Sequence, residues 1–199
     1  MSRLSRPRRR AFSGLLAAAL YFLSTGATAA QIWKLGMGDK STKYQGFKDP
    51  GGRFEIEYPA KDWKLLPSGG SSLAVFARND GPTLFVDHVK LVEALTPAEL
   101  VGMPAVELST LKEQQPKGRD FKSDMVDSKA GRGVLIRYSR DSATGTGPET
   151  VVQYSIAVGL ELFRLNGVMP DKQVAKYEPV IAYMIQSFKA PAAASSSKH

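Results

Sequence analysis

The chain has no cysteine and only two histidines, His88 and His199. The first absence excludes a disulfide framework, a thiol nucleophile and a thiolate metal site. It also excludes a lipid anchor attached to a cysteine at a cleavage point. The shortage of histidine leaves His88 as the sole internal imidazole, so a metal site would need several other ligands to converge on it. No Gly-x-Ser-x-Gly elbow, phosphate loop, dinucleotide fingerprint, His-Glu-x-x-His or calcium loop is present. The longest apolar run, Ala11–Leu23, has 13 residues, short of the ~20 that span a bilayer.

Charge is unevenly spread. The formal net charge is +8, yet residues 1–29 hold five arginines and no Lys, Asp or Glu. The remainder carries 22 basic and 19 acidic residues, scattered in a way that makes no nucleic-acid footprint. Residues 1–29 read as a signal peptide: an Arg-rich start, the apolar Ala11–Leu23, and Ala27–Ala29 for cleavage before Ala30. A Sec signal is favoured, with the twin-arginine route left open by Arg9-Arg10. The expected location is periplasmic or secreted, with no membrane span after cleavage; retention of the signal as an anchor is the remaining variant.

Residues 30–43 are polar and Gly/Lys-rich and read as a lead-in. Residues 190–199 are small, polar and non-periodic and read as a disordered tail. The folded domain is therefore 44–189. Short runs of β-branched and aromatic residues predict strands at Arg53–Tyr58, Trp63–Leu66, Leu73–Arg78, Thr83–Val92, Phe121–Asp127, Gly133–Ser139, Thr150–Ala157 and Leu160–Asn166. Thr96-Pro97-Ala98-Glu99 has the form of a capping box. Pro104 then predicts a short helix over 97–102 and a second over 104–114, burying Val101, Leu108 and Leu111. A last helix follows Asp171 as N-cap, with Val174, Tyr177, Ile181, Met184, Ile185 and Phe188 on one face and a kink or break at Pro179. Strands in series with two helical regions predict an α+β domain with helices over an antiparallel sheet.

The candidate chemistry is thin. Asp87 and His88 are neighbours on a strand, so their side chains point apart and cannot form a dyad. His88 reads as a strand residue satisfied by a neighbour. Glu55 and Glu57 lie opposite the Phe54–Ile56–Tyr58 face and read as solvating. Gly145–Thr150 reads as a hairpin loop and Lys112–Lys122 as a charged helix end. Trp63 reads as a core plug at the sheet edge. No catalytic, cofactor-binding or metal-ligating residue is assigned, and no cofactor is expected.

In order, Phe47–Trp63 ("FKDPGGRFEIEYPAKDW"), "SLAVFARND", "LVEALTPAELVGMPAV", "VLIRYSRD" and the closing "LELFRLNGVMPDKQVAKYEPVIAYMIQSFKAP" resemble PsbP-like domains over about Tyr44–Ala190. The resemblance implies an α/β/α sandwich with a central antiparallel sheet, the PsbP/Mog-like fold, in which "GGRFEIEYPAKDW" supplies the first strand. It implies a generally non-enzymatic protein, since PsbP proteins dock on photosystem II in oxygenic phototrophs; no metal site carries over to residues of this chain. The expected function is an exported accessory or binding protein, not an enzyme, that docks on a larger protein complex, with a membrane complex among the options and no nucleic-acid partner. The alternative is a small-ligand carrier with a cleft between sheet and helix lined by Tyr138, Tyr154, Phe163 and Tyr183. A hydrolase using a carboxylate, with or without His88, is the third reading.

Overall fold

The computed structural model describes residues 42–69 and 72–191. Residues 1–29, expected as a signal peptide, most of the expected lead-in and the residues beyond Pro191 lie outside the described residues. The chain order is β1 (Tyr44–Lys48), β2 (Glu55–Pro59), β3 (Trp63–Leu66), β4 (Ser72–Arg78), β5 (Thr83–Lys90), α1 (Pro97–Gln114), β6 (Arg119–Ser128), β7 (Gly131–Asp141), β8 (Pro148–Val158), β9 (Glu161–Pro170), a 3-10 turn (Asp171–Gln173) and α2 (Val174–Ser187). Strands β3 to β9 form one antiparallel sheet in the order β3-β4-β5-β9-β8-β7-β6, and β1-β2 is a separate hairpin. Neighbouring strands in the chain are mostly neighbours in the sheet. The exception is β9, which slots between β5 and β8 and so joins the two halves.

Alternation along the central strands gives the sheet two faces. Val152, Tyr154 and Ile156 of β8 and Phe163, Leu165 and Met169 of β9 belong to the core under α2. Val151 of β8 and Leu162 of β9 belong to a second, smaller core that includes Met103 and Leu111 of α1. A helix on each side of the sheet makes the α/β/α arrangement.

The α2 side is held by close approach. A Cβ on Gly167 would lie 2.5 Å from Ile181 Cγ2, so only glycine lets the helix sit at this height on β9. Five of the six residues expected on the inward face of α2 are buried: Tyr177, Ile181, Met184, Ile185 and Phe188. The β1-β2 hairpin closes over this core with Phe54 and Ile56, each 1% exposed. It is fastened to the end of α2, where Glu55 and Lys189 exchange backbone hydrogen bonds of 2.9 and 2.8 Å. Trp63 is 5% exposed and plugs the same core.

Several expectations change. Glu55–Pro59 is not a strand of the main sheet. Its partner is Tyr44–Lys48, a strand with too little alternation to read from sequence. Pro104 does not divide α1, which is continuous over 18 residues. Proline has a helix-compatible φ, and its cost is the lost bond to, and the ring's crowding of, the carbonyl four residues back. That carbonyl belongs to Leu100, which is 39% exposed and so within reach of water. Val101, expected inside, is 82% exposed; the inward stripe is Met103, Glu107 and Leu111. The capping box does form, with Thr96 Oγ1 accepting from Glu99 N and Glu99 Oε2 accepting from Thr96 N. Asp171 does not cap α2. It opens the 3-10 turn and accepts a hydrogen bond from Thr150 Oγ1 at 2.7 Å. Pro179 is exposed and α2 runs through it.

The turn before β2 is pinned by one carboxylate. Asp49, 2% exposed, accepts from Arg53 Nε at 2.7 Å, Nη2 at 2.9 Å and N at 3.2 Å. Gly52 takes φ +70° in the same turn, a value that favours glycine. The Arg53 hydrogen bonds hold the Asp49 carboxyl below the usual aspartate range, against the opposing effect of burial.

Two outcomes are expected. Gly167→Ala lowers stability by about 1–3 kcal/mol through overpacking. Its effect shrinks in an Ile181→Ala background, which thermal unfolding of the double-mutant cycle measures. Asp49 has a folded pKa below its unfolded one, so its stabilisation is complete above about pH 4 and fades as pH falls through the lowered value. Asp49→Asn should therefore cost about 1–2 kcal/mol at neutral pH and progressively less in acid, read from urea unfolding across pH.

Candidate functional site

The α1 face of the sheet is interrupted by polar residues at its centre. Directly opposed residues share a face, so two rows can be followed across the strands. One row is Ser72, Asp87, Arg164, Ser155 and Val134. The next is Leu66, Val75, Phe85, Asn166, Gln153 and Ile136. Packing alone would favour apolar residues at these central positions, as on the α2 face. Here four adjacent positions on β8 and β9 are polar: Gln153, Ser155, Arg164 and Asn166.

Over them α1 places Glu107, which is 8% exposed. Glu107 Oε1 accepts from Arg164 Nη2 at 2.8 Å, and Oε2 accepts from Ser155 Oγ at 3.0 Å and Gln153 Nε2 at 3.2 Å. A carboxylate this buried survives only with a paired charge and hydrogen bonds on its lone pairs. Beside it Asp87 Oδ1 accepts from Ser72 Oγ at 2.6 Å, and Oδ2 accepts from Asn166 Nδ2 at 2.9 Å. A cavity of about 260 Å³ lies among these groups, bounded also by Val89, Thr110, Leu111 and Gln114. Leu111 and Val89 supply its apolar wall.

The orientation of the two amides follows from their donors. Gln153 gives its N–H to Glu107 and Asn166 gives its N–H to Asp87. Their carbonyl oxygens are left as acceptors. Arg164 Nε is buried with no hydrogen-bond partner. The site thus offers one guanidinium and several oxygen acceptors, a set suited to binding and orienting a polar molecule.

The residues singled out by sequence are mostly elsewhere. The imidazole of His88 packs near Phe163, with ring centroids 5.6 Å apart, and its Nε2 contacts Glu161 Oε2. It borders the cavity without entering the Glu107–Arg164 network. Tyr138, Tyr154, Phe163 and Tyr183 do not line one cleft. Tyr138 stacks on Phe121 in the α1-side core. Tyr154 and Phe163 are packed in the α2-side core. Tyr183 donates to Glu57 Oε2 at 2.6 Å and packs on Tyr44, and this bond raises its pKa to about 12. Glu57 is more than a solvating residue: Lys129 first, then Tyr183, lowers its pKa. Gly145–Thr150 forms part of the β7–β8 connection and the start of β8. Sequence reading passed over Glu107, Gln153, Ser155, Arg164 and Asn166. Polar residues alternating with apolar ones on β8 and β9 were the available signal, and such alternation ordinarily means a solvated face.

Among the described residues, no group of three or more His, Asp or Glu side chains gathers as a metal site. No described helix is long and apolar enough to cross a membrane.

This arrangement of seven-stranded sheet and flanking helices matches solved structures. Cyanobacterial PsbP (CyanoP) from Synechocystis sp. PCC 6803 superposes with a TM-score of 0.54 at 12% identity, covering 78% of this chain and 95% of that one. The fold is that of PsbP-like domains. LpqN of Mycobacterium tuberculosis, which is involved in cell envelope biogenesis, gives 0.53 at 16% identity, covering 76% and 92%. No protein-family model matches the sequence, and no curated protein matches it. At these identities the PsbP-like likeness is one of architecture, and the polar site rests on this chain's own residues.

Replacing Glu107 with Leu strands Arg164, Ser155 and Gln153 together. The expected loss is about 2–3 kcal/mol, below the 3–5 of a fully buried pair because Arg164 keeps some access to water. Chemical denaturation of Glu107→Leu against Glu107→Gln, which keeps an acceptor, measures it.

Proposed function

We propose that the protein is an exported, non-enzymatic accessory protein that docks on a larger protein partner through the β3–β5 part of the α1-side sheet face. The observation that carries this reading is the apolar row Leu66, Val75 and Phe85, one residue from each of β3, β4 and β5; Val89 lies farther along β5 on the same face, beyond Asp87. Among the described residues α1 packs chiefly over β6 and β7 and reaches β8 and β9 through Glu107. Leu66 is 42% and Val89 47% exposed. Scattered exposed apolar residues are ordinary, whereas adjacent ones on one face mark an interaction surface. The polar residues within and beside the row carry both signs, Lys64 and Asp87. That suits an apolar protein segment better than a nucleic acid or an anionic membrane, each of which calls for clustered cations. The Arg-rich, apolar residues 1–29 support export, and LpqN offers an envelope protein of the same architecture.

The test is mild cross-linking in the exported fraction. Leu66→Asp should keep the native melting temperature and reduce recovery of one specific partner by about tenfold or more. Recovery that is indifferent to Leu66→Asp, or cross-linking only between copies of this chain, sinks the reading. A second reading, a small-ligand carrier, is favoured by the cavity under α1 rather than by the four aromatic residues expected to line one.

A further inference from the structure

Asp87 and Arg164 face each other across the β5–β9 ladder. Opposite charges in that relation ordinarily pair. Here each is drawn away by other partners. Both oxygens of Asp87 take hydrogen bonds from Ser72 and Asn166, while Arg164 Nη2 reaches up to Glu107. No ion pair joins Asp87 to Arg164 among the described residues. Both border the same cavity of about 260 Å³.

Two opposite charges held side by side and not paired with each other, with Arg164 Nε left without a partner beside its bond to Glu107, are complementary to a molecule carrying the same two charges reversed. We propose that the cavity binds a small zwitterion of the α-amino-acid type, its carboxylate on Arg164 and its ammonium on Asp87 and the carbonyl oxygens of Gln153 and Asn166. This rests on the carrier reading, and its cavity shares Asp87 and Val89 with the face proposed for docking. The guanidinium fork suits a carboxylate. An ammonium has three donors and no acceptor, and the amides, fixed by Glu107 and Asp87, present acceptors. A simple anion would meet two carboxylates, and a simple cation or metal ion would meet Arg164. The cavity is smaller than the roughly 300–1,000 Å³ of pockets for drug-sized ligands, which limits the occupant to a compact molecule. Val89 and Leu111 suit a short apolar side chain.

Isothermal titration calorimetry of the full chain against each standard α-amino acid tests this. At least one should saturate below about 10 mM. Its N-acetyl derivative and its carboxamide should each bind about tenfold more weakly or worse, and Asp87→Asn should weaken binding by a similar factor. Equal binding of the blocked derivatives overturns the zwitterion and leaves the carrier reading standing. Equal binding by a folded Asp87→Asn does the same. No saturation by any amino acid overturns the proposal, and if a broad set of small polar molecules also fails to raise the melting temperature, the carrier reading falls with it. Should Asp87→Asn fail to fold, the blocked derivatives on the native chain still decide.

Discussion

The contact of Ile181 with the bare backbone of Gly167 sets the height of α2 above the sheet, and the larger core is built to that height. With the helix this close, Phe163 and Phe188 meet edge to face with centroids 5.3 Å apart, and Phe54 stacks on Phe188 at 5.7 Å. The β1-β2 hairpin can then reach both sheet and helix. Its backbone takes a hydrogen bond from Lys189, and Glu57 N donates to Ser187 Oγ at 2.8 Å. A core packed to interior density transmits a change at any of these points to the others. The hairpin is a two-stranded unit that would be marginal alone; its place depends on the seating of α2.

The two sheet faces divide the work. The α2 face is apolar almost throughout and supplies most of the burial. The α1 face combines a smaller apolar core with a buried carboxylate, a guanidinium and two amides. Such a network lends little net stability, because desolvation consumes much of the electrostatic gain. Its retention at the centre of a sheet is therefore better explained by recognition than by stability. The same face carries the apolar row Leu66, Val75 and Phe85 next to the row of Asp87 and Arg164, so cavity and apolar strip lie side by side on one surface.

Sequence made the strands legible because their signal is local: β-branched and aromatic residues between turn residues. Trp63–Leu66 matches the observed strand, and the α2 face follows from spacings of three and four. The misses share a cause, in that each depended on a tertiary partner. Tyr44–Lys48 becomes a strand only through β2. Pro104 withholds a donor from the carbonyl of Leu100, a residue 39% exposed and so within reach of water. Val101 was placed inside since it is apolar, when the inward position four residues before Leu111 belongs to Glu107. The site was invisible for the same reason. Gln153, Ser155, Arg164 and Asn166 alternate as solvent-facing residues do, and only the position of α1 converts that stripe into a covered pocket.

The reciprocal bonds between Glu55 and Lys189 also order events in time. Glu57 and Ser187 are 130 residues apart, and the strand that joins the two halves of the sheet, β9, is the last to be made. Synthesis proceeds at about 5–20 residues per second, so the opening hairpin waits many seconds for the surface it must cover. During that interval its apolar side chains have no native partner, and long-range pairing of this kind is slow even once the chain is complete. Until the final helix is made, the hairpin Tyr44–Pro59 has no surface to close on, and the larger core stays open on that side.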